Sequence, residues 1–342
     1  MTLRATIVFG ANHTFYYNKS RFGYFLFLFA AEICTKEEKK MKNILVIGAS
    51  GFVGKHLTQK LFTEGYKVRC LVRNPDKVQD LATVGCEIIK GDITDLASVQ
   101  KAVQSMDAVY ISIHTLSSQL ANTKSNGFMD IELLGLQNIV ESCKTHHVKR
   151  IIYVTFLGVD KDAASEWSRG RWKTEQFLLK SGLDATIIRP GMIVGVGGQG
   201  FNMMVGNAKK RFAIVIGKGN QKFRCIAIDD LIYYLVGVLN DTSAYGKGFD
   251  VGSDDILTSN QMLDAVAEVM GRNHPKKIHI PIGLLSAMAP IIERIAKMPK
   301  GAMKGMVDGI QSDMIGNPAP IRTILTKTPL TNREAVAKAL EV

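Results

Sequence analysis

The feature that most limits what this chain can become is the heptapeptide Gly48-Ala49-Ser50-Gly51-Phe52-Val53-Gly54. It follows the aliphatic run Ile44-Leu45-Val46-Ile47 and opens a helical pattern that lasts to Glu64, with Gly65 placed to end it. A continuous apolar run suits a strand buried on both faces, the condition of a parallel sheet. The glycines at the junction have separate tasks. Gly48 permits the tight turn out of the strand, Gly51 admits a close ligand, and Gly54 lets the helix pack on the sheet. A helix opened in this way offers unsatisfied N–H groups and a partial positive charge to a phosphate. The spacing G-x-x-G-x-x-G is one residue longer than the commonest fingerprint, but strand, spacing and helix together predict a pyrophosphate cradle. Its candidate contacts are Gly48, Ser50, Gly51, Phe52, Val53 and Gly54.

The rest of the chain repeats the strand–helix alternation. Strands are expected at Val68–Val72, Glu87–Ile89, Ala108–Ile113, Arg150–Val154 and Ala185–Ile188. Helices are expected at Asp95–Val103, with Thr94 or Asp95 as the cap, at Met129–His146 and at Trp172–Leu179. This implies an α/β fold: a Rossmann-type doubly wound parallel sheet with a small, mostly helical C-terminal substrate-binding region. After Pro190 glycine rises, and 191–200 reads as loop at the edge of a pocket. Further helices are expected at Asp229–Leu239 and Ser259–Met270, and a strand around Phe249–Val251. Pro281–Met298 reads as two short helices divided at Pro290. The organisation is then an N-terminal extension over 1–40, poorly structured, a nucleotide-binding core over 41–190, and a substrate-binding region over 191–342 partly interleaved with it.

Composition narrows the function classes. Hydrophobic residues make up 46% and charged residues 22%, so an ordinary core is available without metals or disulfides. The formal charge is +12, but its basic residues are scattered in small groups such as Lys39-Lys40, Lys209-Lys210-Arg211 and Lys276-Lys277. That pattern reads as a solvated basic surface, and a nucleic-acid partner is not expected. The five cysteines, Cys34, Cys70, Cys86, Cys143 and Cys225, contain no CxxC, which fits reduced thiols and no metal site. Phe22–Ala31 is apolar but about half the roughly 20 residues a membrane span needs. A charged run, Lys36–Lys40, follows it, and Met41 stands directly before the first core strand. Met41 is therefore expected to be the true start, or 1–40 a dispensable extension, and the protein to be cytoplasmic without stable membrane insertion.

The choice of cofactor is made at the end of the second core strand. Sites for NAD place Asp or Glu there to hold the ribose 2′-hydroxyl. Here Val68–Val72 ends in Arg73-Asn74-Pro75, with no acid at the tip. Arg73 can pair bidentately with a 2′-phosphate, with Lys77 as a weaker helper, so NADP(H) is expected over NAD(H).

With these residues in place, the chain from Lys42 to near its C-terminus resembles the atypical and extended short-chain dehydrogenase/reductase superfamily. The resemblance is carried by the glycine loop, by Leu71–Pro75, by Gly91-Asp92-Ile93-Thr94-Asp95 and by Val148–Thr155. It continues through Ser181–Gly191, Ile228-Asp229-Asp230-Leu231 and Thr328-Pro329-Leu330. The branch it most resembles holds the dehydrogenase-like accessory subunit of respiratory complex I and the NAD(P)H-binding regulators of nitrogen repression. The resemblance implies that Asp92 and Ile93 lie along the adenine, that Ile113 and His114 line the cofactor cleft, and that Pro190 and Gly191 sit near the nicotinamide.

The same resemblance puts catalysis in question. The family pairs a Tyr with a Lys four residues later and adds a Ser or Thr. Lys173 is matched to the lysine and Thr155 to the serine, but Arg169 stands where the tyrosine belongs. Reduction of a ketone needs a proton donor near the developing alkoxide. Two readings follow. One is an NADP(H)-dependent oxidoreductase acting on a small molecule, with an unusual donor or a conjugated substrate. The other is a non-catalytic NAD(P)H-binding accessory subunit or redox sensor. The Met129–His146 helix is a candidate homodimer face. Pro281–Met306, with its apolar residues followed by Lys297, Lys300 and Lys304, reads as a helical roof over a substrate pocket or as a peripheral membrane contact.

Overall fold

The computed structural model describes residues 5–9, 13–17, 41–113, 128–295, 301–309 and 312–342. His114 lies outside the described residues. The chain divides into two units, Met1–Met41 and Lys42–Val342. In the first, β1 (Ala5–Phe9) and β2 (His13–Tyr17) pair antiparallel, with Ala5 opposite Tyr17 and Phe9 opposite His13.

The second unit is built on seven strands. They are β3 (Asn43–Ile47), β4 (Lys67–Val72), β5 (Glu87–Lys90), β6 (Ala108–Ile111), β7 (Arg150–Val154), β8 (Asp184–Pro190) and, far later in the chain, β12 (Lys247–Val251). Every neighbouring pair is parallel, and the order across the sheet is β12-β8-β7-β6-β3-β4-β5. The chain runs outward from β3 to β5 and then returns to lay β6 on the other side of β3. That reversal opens a crevice beyond the carboxyl ends of β3 and β6, where sheets of this kind bind ligands.

Helices cover both faces. Leu45 and Ile47 point into a core shared with α3 (Leu96–Val103), α4 (Phe128–Thr145) and α5 (Glu166–Leu179), through Val99, Leu136, Ile139 and Leu178. The opposite face carries α1 (Phe52–Thr63) and α7 (Ile228–Gly237), which pack on each other. On that face the Tyr110 hydroxyl donates to the Leu235 carbonyl at 2.8 Å. α2 is a single turn over Gln79–Thr83. Local signals place the ends. Asp95 accepts from the N–H groups of Ala97 and Ser98 at the start of α3, and Gly65 and Gly182 take positive φ just past α1 and α5.

The C-terminal half is less helical than its sequence suggests. The glycine-rich stretch holds β9 (Met192–Val194) and the start of α6 (Gln199–Ala208). Beyond come β10 (Phe212–Ile216), β11 (Lys222–Ala227), β13 (Ile256–Thr258) and β14 (Lys276–Ile280). They form a three-stranded sheet, β13-β11-β9, and a two-stranded parallel ribbon, β10-β14. α6, α8 (Ser259–Val269) and α12 (Asn332–Leu340) share a second core with them, which includes Phe201, Val266 and Val336. α11 is a short turn over Ala319–Arg322. The division expected at Pro290 does not occur: α9 runs from Ile282 to Ile295 with Pro290 inside it, and α10 covers Ala302–Gly309. Pro290 is on the exposed side of the helix, where the freed carbonyl a turn earlier is not sealed from water.

Candidate functional site

The glycine loop sits at the crevice, and each glycine answers to a measurable constraint. Gly48 has φ +92°, and a Cβ there would lie 2.1 Å from the Ser112 carbonyl oxygen at the end of β6. A Cβ on Gly54 would lie 2.2 Å from the Gly48 carbonyl oxygen, so this glycine closes the turn against its own loop. Gly51 differs. Its N–H donates to the Gly48 carbonyl at 2.9 Å, and an added Cβ would approach no other neighbour closely. The residue is exposed, as a glycine facing a ligand should be. It is also the N-cap of α1, whose first turn has neither a capping side chain nor an acid. The opening amides of a three-turn helix are therefore aimed at the crevice without an internal acceptor, which is the donor set a pyrophosphate takes. Ser50 is exposed beside them, and Phe52 and Val53 are half-buried.

Phe52 has a structural task that the motif does not announce. Its ring is enclosed by the Gly195–Gly198 loop: a Cβ on Gly195 would lie 2.9 Å from the ring, on Gly198 3.0 Å and on Gly197 3.4 Å. His56 meets the same ring edge-on at 4.8 Å. The glycine-rich stretch after Pro190 is thus the clamp that holds Phe52 and, with it, the glycine loop. Aromatic packing of this closeness excludes a side chain from the clamp.

Arg73 is exposed directly after β4. Asp92 is half-buried past β5, and its Oδ1 accepts from the Thr94 N–H at 2.9 Å and from the Thr94 hydroxyl at 2.7 Å, closing a turn. Ile93 packs on Gly135 of α4, where a Cβ would come within 2.4 Å of it, and Asn138 donates to the Ile93 carbonyl.

The two residues matched to catalysis lie on different elements, Thr155 just past β7 and Lys173 on α5. Lys173 is exposed on α5. Two residues earlier, Arg171 is buried and turned toward the end of β6, where it donates to the Ile113 carbonyl at 3.1 Å. Arg171 also donates to the Tyr153 hydroxyl at 2.9 Å and pairs with buried Glu132 at 3.2 Å. Tyr153 in turn donates to Glu132 at 2.5 Å. Burial pushes the Tyr153 phenol far above its ordinary range, with Arg171 opposing, so it stays a neutral donor to Glu132. Burial works against the Arg171 charge, but Glu132, Tyr153 and Glu175 together outweigh it and hold the guanidinium more firmly protonated.

Thr155 is also committed inward. Its hydroxyl donates to Glu175 at 2.6 Å, and buried Glu175 is bound by Arg189 through contacts of 2.6 to 3.1 Å. Pro190 is buried and accepts from the Leu157 N–H at 3.0 Å, so it holds the end of β8 to the strand exit of β7. One turn before Arg171, Trp167 stacks on Phe156 with ring centroids 4.0 Å apart. α10 meets this end of α5, where the Ser165 hydroxyl donates to the Gly305 carbonyl.

Sequence reasoning therefore missed Arg171, Glu132 and the Phe52 clamp. A helical signal for Arg171 was present: it lies four residues before Glu175, so the two share a face of α5, and Lys173 does not.

The fold is Rossmann-type, and its glycine loop has the geometry a dinucleotide phosphate cradle requires. Residues 48–214, just under half of the chain, match the family model described as NAD(P)H-binding. Among its relatives is the mitochondrial NADH dehydrogenase [ubiquinone] 1 alpha subcomplex subunit 9 of Arabidopsis thaliana, 27% identical over 71% of this chain and 61% of the relative. Another is the photosystem II assembly factor Ycf39 of Cyanophora paradoxa, 32% identical over 46% of this chain and 48% of the relative. The chain thus spans between about half and three fifths of these two relatives. Among solved structures, the NADPH-dependent quinone oxidoreductase QOR2 of Escherichia coli, complexed with NADPH, matches in fold. Its TM-score is 0.65, with 19% identity, over 87% of this chain and 99% of that one.

Proposed function

We propose that the protein is an NADP(H)-dependent oxidoreductase that reduces a small conjugated carbonyl compound such as a quinone or an enone. The observation that carries the cofactor preference is Arg73, exposed at the tip of β4 where an acid would select NAD. The uncapped first turn of α1 holds the pyrophosphate, and Arg73 pairs with the 2′-phosphate. Bound reduced nicotinamide supplies a hydride. The chain's own contribution is positional: the Phe52 clamp fixes the loop, and the Arg171–Glu132–Tyr153 network fixes the end of β6.

The substrate class follows from what the network lacks. Arg171 is held protonated, and the Tyr153 proton is directed to Glu132, so neither is suited to protonate an alkoxide. A conjugated acceptor spreads the incoming charge and takes its proton from water, so it needs less acid assistance. The test is the decay of NADPH absorbance with a panel of quinones, enones and simple ketones. Turnover of the conjugated members alone supports the assignment, and turnover of simple ketones alone contradicts it.

A second reading, a cofactor-binding accessory subunit without turnover, is favoured by Arg169 standing where a catalytic phenol would be sought. It predicts tight NADPH binding, no oxidation with any acceptor, and co-purification with a partner complex.

A further inference from the structure

Helix α9 is amphipathic in the inverted sense. Its single acid, Glu293, is buried, and its carboxylate accepts from the N–H groups of Gly301 and Met303 at 3.0 and 2.9 Å. Ala289, four residues before it, is buried on the same side. The opposite side carries Leu284, Met288, Ile291 and Ile295, which are 55%, 44%, 60% and 78% exposed. The spacing of four, three and four residues makes this one continuous stripe. A helix that only roofed a pocket would turn that stripe inward. Here the stripe faces water.

The same character continues into the strand that leads into α9. Pro281 alone separates β14 from the helix, and Ile282 packs against Gly217 at the end of β10. On the β10–β14 ribbon, Ala213 and Val215 are buried in the second core, and the alternate residues Phe212 and Ile214 are exposed. Ile278, opposite Ile214 in the register, is exposed too. Neither strand contains an acid. The residues at its margin are basic: Lys209, Lys210 and Arg211 precede β10, Lys276 opens β14 opposite Phe212, and Arg294 lies on α9 between two stripe positions. All five are exposed.

We infer that this face, the α9 stripe with the outer side of the β10–β14 ribbon, docks the protein on the surface of an anionic phospholipid bilayer. Three features favour a bilayer over a second copy of the chain. The elements of this face expose apolar side chains, have exposed basic residues on or directly beside them in sequence, and carry no exposed acid of their own. Two copies brought together there would set like charges against each other. An anionic headgroup layer offers the complementary charge, with apolar depth for a shallow stripe. Among the described residues no helix is long and apolar enough to cross a membrane, so attachment at this face would be peripheral.

The test is co-sedimentation of the full chain with vesicles of phosphatidylcholine alone and of phosphatidylcholine containing about one third phosphatidylglycerol. The expected result is association with the anionic vesicles, weaker association with the neutral ones, and reduction by high salt. Ile291→Glu combined with Ile295→Glu alters only exposed side chains. It should lower the partition coefficient by about tenfold or more while leaving thermal midpoint and NADPH affinity unchanged. Lys209→Glu with Lys210→Glu should remove the preference for anionic lipid. Absence of association with either vesicle overturns the inference, as does association that the Ile291/Ile295 variant retains. It is also overturned if the wild-type chain dimerises without lipid and the same variant is monomeric, because the face is then an interface between copies. The readout uses no substrate, so it fails or succeeds independently of the proposed reductase activity.

Discussion

At the scale of single residues, the sharpest constraints are steric and electrostatic. Gly48→Ala forces a Cβ into the Ser112 carbonyl and an L-residue into positive φ, which costs about 1–3 kcal/mol from strain alone. We expect a lowered denaturation midpoint and loss of NADPH binding, measured by thermal melting and fluorescence titration. Arg171→Met strands the buried Glu132 carboxylate and is expected to destabilise by about 3–5 kcal/mol in urea denaturation. Adding Glu132→Leu should restore most of that loss, because no buried charge is then left uncompensated. A failure of the second change to rescue the first would show that the pair is not the stabilising unit. The thiols of Cys143 and Cys225 are pushed up to about 12 by burial. A raised thiol is protonated below that value, so both should resist alkylation in the native state at mildly alkaline pH. They should react only on unfolding, as peptide mass spectrometry would show.

At the scale of elements, α1 depends on a loop more than a hundred residues away. Gly195→Ala with Gly198→Ala should displace the Phe52 ring and weaken NADPH binding by about tenfold. A small change in affinity would mean that the ring moves without shifting the helix N-terminus. Elements were legible where a single period dominated. The centres of β3 and β6 are continuous aliphatic or aromatic runs because helices bury both their faces, and Asp95 and Gly65 marked helix ends by local chemistry. The register of α5 was not legible from the resemblance, which marked Lys173 and gave no place to Arg171. Only the burial of Glu175 with Arg171 on one face reveals which cation turns inward. β9, β10, β11 and β14 were missed for a reason other than length, since β10, β11 and β14 are at least as long as β3. They lie among glycines or lysines, and their partners are distant in sequence. Such pairing leaves no local period to read. Pro290 suggested a break in α9, but its exposed position lets the helix continue.

At the scale of the whole molecule, the C-terminal half is tied back into the first. β12 becomes the last strand of the main sheet, and α7 covers the same face as α1. The Ile228–Leu231 and Thr328–Leu330 motifs, far apart in sequence, meet at one carboxylate. Asp230 is buried, pairs with Lys327 at 2.7 Å and accepts from the Leu330 N–H at 2.8 Å. Asp230→Ala should therefore cost about 2–3 kcal/mol and open the segment before α12 to limited proteolysis. Fold class and the strand–turn–helix form of the glycine loop were readable because one motif demands these three in order. The proposed substrate rests on a buried network drawn from three separate elements, α4, β7 and α5, and no linear motif encodes it.

The most direct test of the central claim is titration of the full chain with NADPH and with NADH, repeated on Arg73→Glu. The account predicts saturable binding of both dinucleotides, with NADPH tighter by about tenfold or more, and a variant that loses that preference while still binding NADH. Equal affinity for the two, or equal loss of both in Arg73→Glu, would contradict the role given to Arg73. Absence of binding by either would contradict the site itself.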